Sequence, residues 1–257
     1  MAYTYVLQLE IATRQSANIG PIAANYGDKL CERRCYGQKR FDWMVAMRIF
    51  HRPLELIYQC RKPYVVLNVC FYGLIVCGML YAAFNRDAQQ SLGKTARGQV
   101  ASTLPHVAAA YSEGHVFAAF AWTFAINLLL GSFATIVFPS LILPFSGLCL
   151  GMVRAFAWGL IFSPASWPTN GASAIYGLLI FILLAMEGQG FILAMLAAYV
   201  QSARFLKRPE PPGSSWWRRY WSALKQSAQL YPVVAVQLAL AAFYESLLVI
   251  VLLPLLK

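Results

Sequence analysis

The chain has 257 residues, of which 59% are apolar and only 12% charged, and its formal net charge is +11. An ordinary soluble domain is roughly a quarter charged, so this composition excludes both disorder and a water-facing shell around one or two cores. Lipid is the solvent that such a surface fits.

In chain order, residues 1–63 read as a cytoplasmic head. Within it Phe41, Met44, Ile49, Leu54, Ile57 and Tyr58 recur at helical spacing among Arg48, Arg52, Arg61 and Lys62, the pattern of an amphipathic helix lying in the plane of a membrane. Residues 64–257 read as a transmembrane domain. Windows of about 20 apolar residues, enough to cross about 30 Å of hydrocarbon, place five spans at Tyr64–Phe84, Val116–Phe138, Leu143–Phe162, Ala174–Val200 and Tyr231–Leu256. The expected fold is an all-α polytopic helix bundle, because unpaired strand edges are costly in lipid and the alternation of a transmembrane barrel is missing. The outer loop, 85–115, is polar and rich in helix formers, suited to a short helix or a partner-binding lid. The second and third spans, joined through Pro139–Pro144, are expected to pair as a tight antiparallel hairpin.

The cytoplasmic segment 201–230 contains Arg208-Pro-Glu-Pro-Pro-Gly-Ser-Ser, which should break the fourth span. Ser214 or Ser215 then caps a helix opening with Trp216, Trp217, Arg218, Arg219, Tyr220 and Trp221. Indole and guanidinium groups together suit the headgroup layer, so this stretch is read as a membrane-interface anchor, with docking of a cytoplasmic protein as the alternative.

Ten Lys and Arg precede the first span and six lie between Arg204 and Lys225, against three in the outer loop. The positive-inside bias therefore places the amino end in the cytoplasm and the carboxyl end outside. Residues 1–40 lack the charged start and apolar run of a cleavable signal. Of the cysteines, Cys31, Cys35 and Cys60 fall on the reducing side and Cys70, Cys77 and Cys149 fall within spans, so no disulfide framework is expected. The positive charge is topogenic and lipid-directed, and no basic domain of its own points to nucleic acid.

Motifs of soluble chemistry fail. Ser91-Leu92-Gly93-Lys94-Thr95 imitates the end of a phosphate loop, but Ala88 stands at the leading glycine position and no strand precedes it. Cys31, Cys35, His51 and Cys60 match no compact zinc spacing. His51, His106 and His115 lie outside all five spans, leaving an intramembrane hydrolase without a base. No catalytic residue, metal or cofactor is expected.

The informative feature is a polar layer near mid-depth: Asn127 in the second span, Arg154 in the third, Glu187 with Gln189 in the fourth, and Glu245 with Gln237 in the fifth. Ions there cost roughly 2.5–3.5 kcal/mol on insertion scales, so they are expected to face the bundle interior and to pair, Arg154 with a carboxylate. Small residues share their stripes: Thr123, Gly131 and Thr135 beside Asn127; Gly147 and Gly151 before Arg154; Gly190, Ala194 and Ala198 after Glu187; Ala241 before Glu245. Such residues let helix backbones approach closely. With one arginine for two glutamates, a second carboxylate needs a proton or a cation.

This order of features resembles the stage II sporulation protein M family of bacterial membrane proteins. The matching residues are Asn127 within Phe124–Gly131, the glycine pair Gly147 and Gly151, and Glu245 within Ala241-Ala242-Phe243-Tyr244-Glu245-Ser246, followed by Pro254. In the fourth span that family usually has His-Gly, then Glu three residues later, then Ala. In one register Glu187 stands in the histidine place and Phe191 in the glutamate place, while Gly188 and Ala194 agree; in the other, Glu187 matches the family glutamate and both the His and the Gly are lost. The resemblance implies a five-helix, non-enzymatic protein of the bacterial cytoplasmic membrane whose relatives work with peptidoglycan-degrading partners in sporulating cells.

Two functions stay open at this point. One is a scaffold or subunit of an envelope complex whose partners are the bilayer, other membrane or envelope proteins, or a second copy of the chain. The other is a permease or permease subunit that moves an ion or small solute along the polar layer.

Overall fold

A computed structural model describes residues 51–164, 173–206 and 215–256. Most of the expected head, with Cys31 and Cys35, residues 165–172 and the expected proline-rich break after Leu206 lie outside the described residues. Residues 51–59 are helical, with Leu56 buried and Leu54 and Tyr58 exposed. The helices that follow are α1 (Arg61–Phe84), α2 (Arg86–Thr103), α3 (Pro105–Ser112), α4 (Val116–Ala125), α5 (Phe138–Ile142), α6 (Ser146–Ile161), α7 (Ser173–Leu206), α8 (Trp216–Ala228) and α9 (Tyr231–Leu247). π-helical stretches at Ile126–Val137 and Leu248–Leu252 continue α4 and α9. Among the described residues there is no strand.

Among the described residues four helical runs are long and apolar enough to cross a membrane: Arg61–Phe84, Val116–Ile142, Ala174–Leu206 and Trp216–Leu255. The expected third span is shorter. α6 has 16 residues, about 24 Å at 1.5 Å per residue, against a hydrocarbon layer of about 30 Å. Its apolar window opens at Leu143, but the segment from Leu143 to Phe145 forms a turn in which Phe145 adopts a left-handed φ of 67°. That turn is held from outside. The Phe145 N–H donates to Ser202 Oγ at 3.0 Å, and the Phe145 ring packs on Tyr199. The other boundaries run longer than expected: the second span continues through α5, α7 extends to Leu206, and only Gln229 and Leu230 separate α8 from α9.

The segment expected as an outer loop forms two helices, α2 and α3. Pro105, whose missing N–H costs nothing in a first turn, starts α3 after Leu104. Val107, Ala110 and Tyr111 of α3 are buried, so this helix docks on the bundle.

The π-helical geometry of the second span changes which residues face inward. Thr123, Asn127 and Gly131 are buried as expected, but Thr135 is exposed and its hydroxyl turns back onto the Gly131 carbonyl. The bonds here skip five residues, as from the Phe138 N–H to the Phe133 carbonyl, and the wider turn hands the inner face to Ser132, Ile136 and Ser140.

The core sits around α7, whose residues 191–198 are all buried. Close approaches are made at glycines. A Cβ on Gly78 would lie 2.3 Å from the Phe156 carbonyl oxygen, and one on Gly159 would lie 2.1 Å from that of Ile75, so α1 and α6 cross backbone to backbone. The opposite faces carry exposed Val66, Val69, Phe84, Leu129, Val153 and Phe181, an apolar belt that water would not tolerate at this extent. Cys70, Cys77 and Cys149 are exposed free thiols on the outer surface, and Cys60 is a half-buried one.

Candidate functional site in the buried polar layer

The polar residues expected at mid-depth are all present in the bundle, but they form separate contacts instead of one network. Asn127, at the start of the π-helical stretch, is buried and donates from Nδ2 to Glu187 Oε1 at 2.7 Å. Glu187 is fully buried, and its other oxygen, Oε2, has no hydrogen-bond partner among the described residues. Glu245 of α9 is fully buried too and interacts electrostatically with Glu187.

Arg154 does not take the carboxylate expected for it. Its Nη1 donates to the Gly131 carbonyl at 3.2 Å, and its guanidinium lies 4.0 Å from the centre of the Phe191 ring and 5.2 Å from that of Trp158. No ion pair to a carboxylate is found for it among the described residues, although it is close enough to Glu187 for an electrostatic interaction. Two aromatic faces and a carbonyl thus hold the cation, an arrangement worth more in a desolvated site than at a surface. Gly131 makes the space: a Cβ there would stand 3.0 Å from Arg154 Nη1 and 2.9 Å from the Phe191 ring. Phe191 is one wall of this cage.

Gln189 faces the other way. Two residues along a helix turn about 200°, so Glu187 and Gln189 cannot share a face. Gln189 Oε1 accepts from the Tyr64 hydroxyl at 2.7 Å, and its Nε2 donates to Asn68 Oδ1 at 2.6 Å and to the Tyr72 hydroxyl at 3.0 Å. The Tyr72 hydroxyl in turn donates to the Ala185 carbonyl at 2.9 Å. Tyr64, Asn68 and Tyr72 are spaced four apart on α1 and form a three-rung clamp on one amide. These three were missed in the sequence, where the four-residue spacing inside an apolar span was the available signal.

On α9, Gln237 Nε2 donates to the Met186 carbonyl at 2.9 Å, and Gly190 admits Leu238, whose Cδ2 would lie 2.4 Å from a Cβ there. Ala194 and Ala241 are fully buried. The Gly147 and Gly151 pair serves two different partners. Gly147 lies against the Ile136 carbonyl, where a Cβ would be 1.8 Å from the oxygen, and Gly151 lies against Met195. The Gly147 N–H donates to Ser140 Oγ at 2.9 Å, closing the hairpin.

A further member comes from outside the spans. Tyr111 of α3 is buried, with its hydroxyl 2.8 Å from Thr123 Oγ1. Burial, with the Glu245 carboxylate nearby, pushes its phenol well above the ordinary value, so the hydroxyl keeps its proton. No motif in the polar outer segment marks this tyrosine.

At the end of the bundle where α7 finishes, Ser215 is the cap of α8, its Oγ accepting from the Arg218 N–H at 3.4 Å. Trp216, Trp217 and Trp221 are exposed as an anchor requires, and Arg218 is exposed beside them. Trp216 stacks on Tyr220 with centres 5.4 Å apart and meets Phe205 edge-on, while the half-buried Arg219 reaches over Phe205 at 6.0 Å. Among the described residues no group of three His, Cys, Asp or Glu side chains could hold a metal ion. In comparisons with protein-family models, curated proteins and solved structures, the chain matches none.

Proposed function

We propose that this chain is a non-enzymatic integral membrane protein, a scaffold or subunit of a bacterial envelope complex in the cytoplasmic membrane. Its path is five-pass with the amino end in the cytoplasm, and α6 crosses as the short span with local thinning of the bilayer. The observation that carries this reading is the use made of the polar layer. Asn127 with Glu187, Gln189 with the α1 clamp, Arg154 with Gly131 and Gln237 with Met186 each tie two helices together, which fixes helix register and leaves the outer helices and the α8 end to meet partners. The resemblance to the stage II sporulation protein M family, in Asn127, Gly147, Gly151 and Glu245, favours an envelope setting. Purification of the tagged chain from native membranes under mild detergent tests the reading: a stoichiometric envelope protein or a second copy is expected, and a chain that comes away alone and monomeric contradicts it.

A second reading, a permease or permease subunit, is favoured by one observation: Oε2 of fully buried Glu187, beside Glu245, has no hydrogen-bond partner among the described residues. An intramembrane carboxyl with an open lone pair is the kind of group that loads and releases a proton. Reconstituted protein would then carry proton or solute flux that Glu187→Gln abolishes while leaving the fold intact. Tight vesicles with no flux from either form would remove this reading.

A further inference from the structure

At the end of the bundle where α7 meets α8 there is a groove of about 660 Å³ lined by Arg204, Arg218, Ser222, Lys225 and Gln229, with Trp221 at its edge. Arg218, Ser222, Lys225 and Gln229 follow one another at steps of four, three and four residues, so they form a single stripe along α8. Arg218 and Lys225 stand about 10 Å apart along that stripe, and Arg204 comes across from α7 with its guanidinium hydrogen-bonded to the Gln226 carboxamide. The groove thus gathers three cations and a hydroxyl, and no carboxylate lines it among the described residues.

Cations gathered without an acid repel one another unless an anion comes between them. The donor set, a guanidinium fork from each of two helices plus an ammonium and a hydroxyl, matches a phosphate oxygen cluster better than a lone carboxylate. The surroundings indicate which phosphate. Trp221 lines the groove, and the exposed Trp216, Trp217 and Leu206 lie on the same two helices, so the charged site opens beside an apolar aromatic surface. An indole at the rim suits a ligand whose head is charged and whose tail is apolar.

We infer that this groove is a binding site for the phosphate headgroup of an anionic phospholipid, held between Arg204 of α7 and Arg218 and Lys225 of α8, with the acyl chains along the tryptophans. This goes beyond a diffuse surface anchor because it fixes one lipid at one place. Charge attraction alone would be shared with Arg219 and the outer-segment cations. The inference rests on the reading that the long helices span a bilayer, and that reading is tested first and separately: the full chain must stay in vesicles under alkaline carbonate extraction.

The site is then tested with full-length protein in detergent, by native mass spectrometry and by the thermal midpoint on adding phosphatidylglycerol, phosphatidylcholine or glycerol 3-phosphate. Retention of one phosphatidylglycerol and a rise in midpoint are expected, with little response to phosphatidylcholine. Each of Arg204→Gln, Arg218→Gln and Lys225→Gln should weaken the lipid about fivefold, the effect of one cation near an anionic headgroup. Arg86→Gln with Lys94→Gln, on the outer helix α2, should leave binding unchanged. Equal loss in that control, or full binding by the triple groove variant, overturns the site. An equal response to glycerol 3-phosphate overturns the lipid as its source. Failure of carbonate resistance, by contrast, overturns the membrane reading and not the groove's phosphate chemistry.

Discussion

The two faces of α7 at the same depth solve the same physical problem differently. On the α1 side, the Gln189 amide has its oxygen and both of its hydrogens bonded, to Tyr64, Asn68 and Tyr72. On the side facing the second span, the Glu187 carboxyl receives one hydrogen bond from the described residues, that of Asn127, and keeps one oxygen without a partner among them. A saturated neutral amide has nothing left to exchange, whereas a half-satisfied acid does. The first face is therefore a clasp, and the second is where a scaffold and a proton-handling protein would differ. Chance composition does not produce this difference, since three α1 side chains at four-residue steps must converge on one amide.

Breaking the carboxylate face should give the largest effect. Asn127→Leu leaves Glu187 with no donor in a fully buried position, and stranding such a group costs about 2–3 kcal/mol. A marked fall in the thermal midpoint in detergent is expected. Asn127→Leu combined with Glu187→Leu should recover most of the loss, because removing both partners of a buried hydrogen bond is nearly neutral. If the double variant is as unstable as the single one, the hydrogen bond is not what the two residues contribute.

The clasp should lose less and resist rescue. Gln189→Leu removes the common partner of three groups, yet each has an alternative: Tyr72 retains the Ala185 carbonyl, Asn68 retains the Tyr64 carbonyl, and Tyr64 is half-buried near the end of α1. Interhelical bonds in membranes are worth about 1–2 kcal/mol at most in such settings, so a loss of about 1 kcal/mol is expected. No single second substitution on α1 should restore it. Complete rescue by Tyr72→Phe would show that one rung carries the whole clasp and would erase the contrast between the two faces.

Much of this was legible in the sequence. Apolar windows fall on all four membrane-length helical runs among the described residues, but the 18-residue polar helix α2 lay in what read as a loop; Gly131, Gly190, Ala194 and Ala241 of the small-residue stripes are buried. What failed did so for identifiable reasons. Spacing by 3.6 residues misplaced Thr135, because a π-helical stretch has a wider turn and no composition signal announces it. The α1–α6 crossing at Gly78 and Gly159 was invisible because each helix contributes one glycine, so neither sequence segment shows a pair. Charge counting gave Arg154 a carboxylate, whereas in a low-dielectric bundle two aromatic faces and a carbonyl supply a partner without a counter-ion. Glu187 and Gln189 were grouped because they are close in sequence, although the helix period separates them.

Tyr111 extends the comparison to a group no pattern revealed, and it carries the smallest expected effect. Tyr111→Phe deletes one hydroxyl, with its bond to Thr123 and its hydrogen-bond interaction with Ser246, a loss of about 1 kcal/mol or less. Its titration gives a second, sharper readout. A buried phenol whose pKa is raised in the folded state stabilises the fold fully below the ordinary phenol value of about 10, and this contribution is lost as pH rises from there through the folded value. Other tyrosines titrate in the same window, so the quantity to measure is the difference between wild type and Tyr111→Phe. The two midpoints should lie a constant distance apart at neutral pH and converge above about pH 10. Parallel curves through that range would place the Tyr111 hydroxyl in water, and would detach α3 from the carboxylate face of α7.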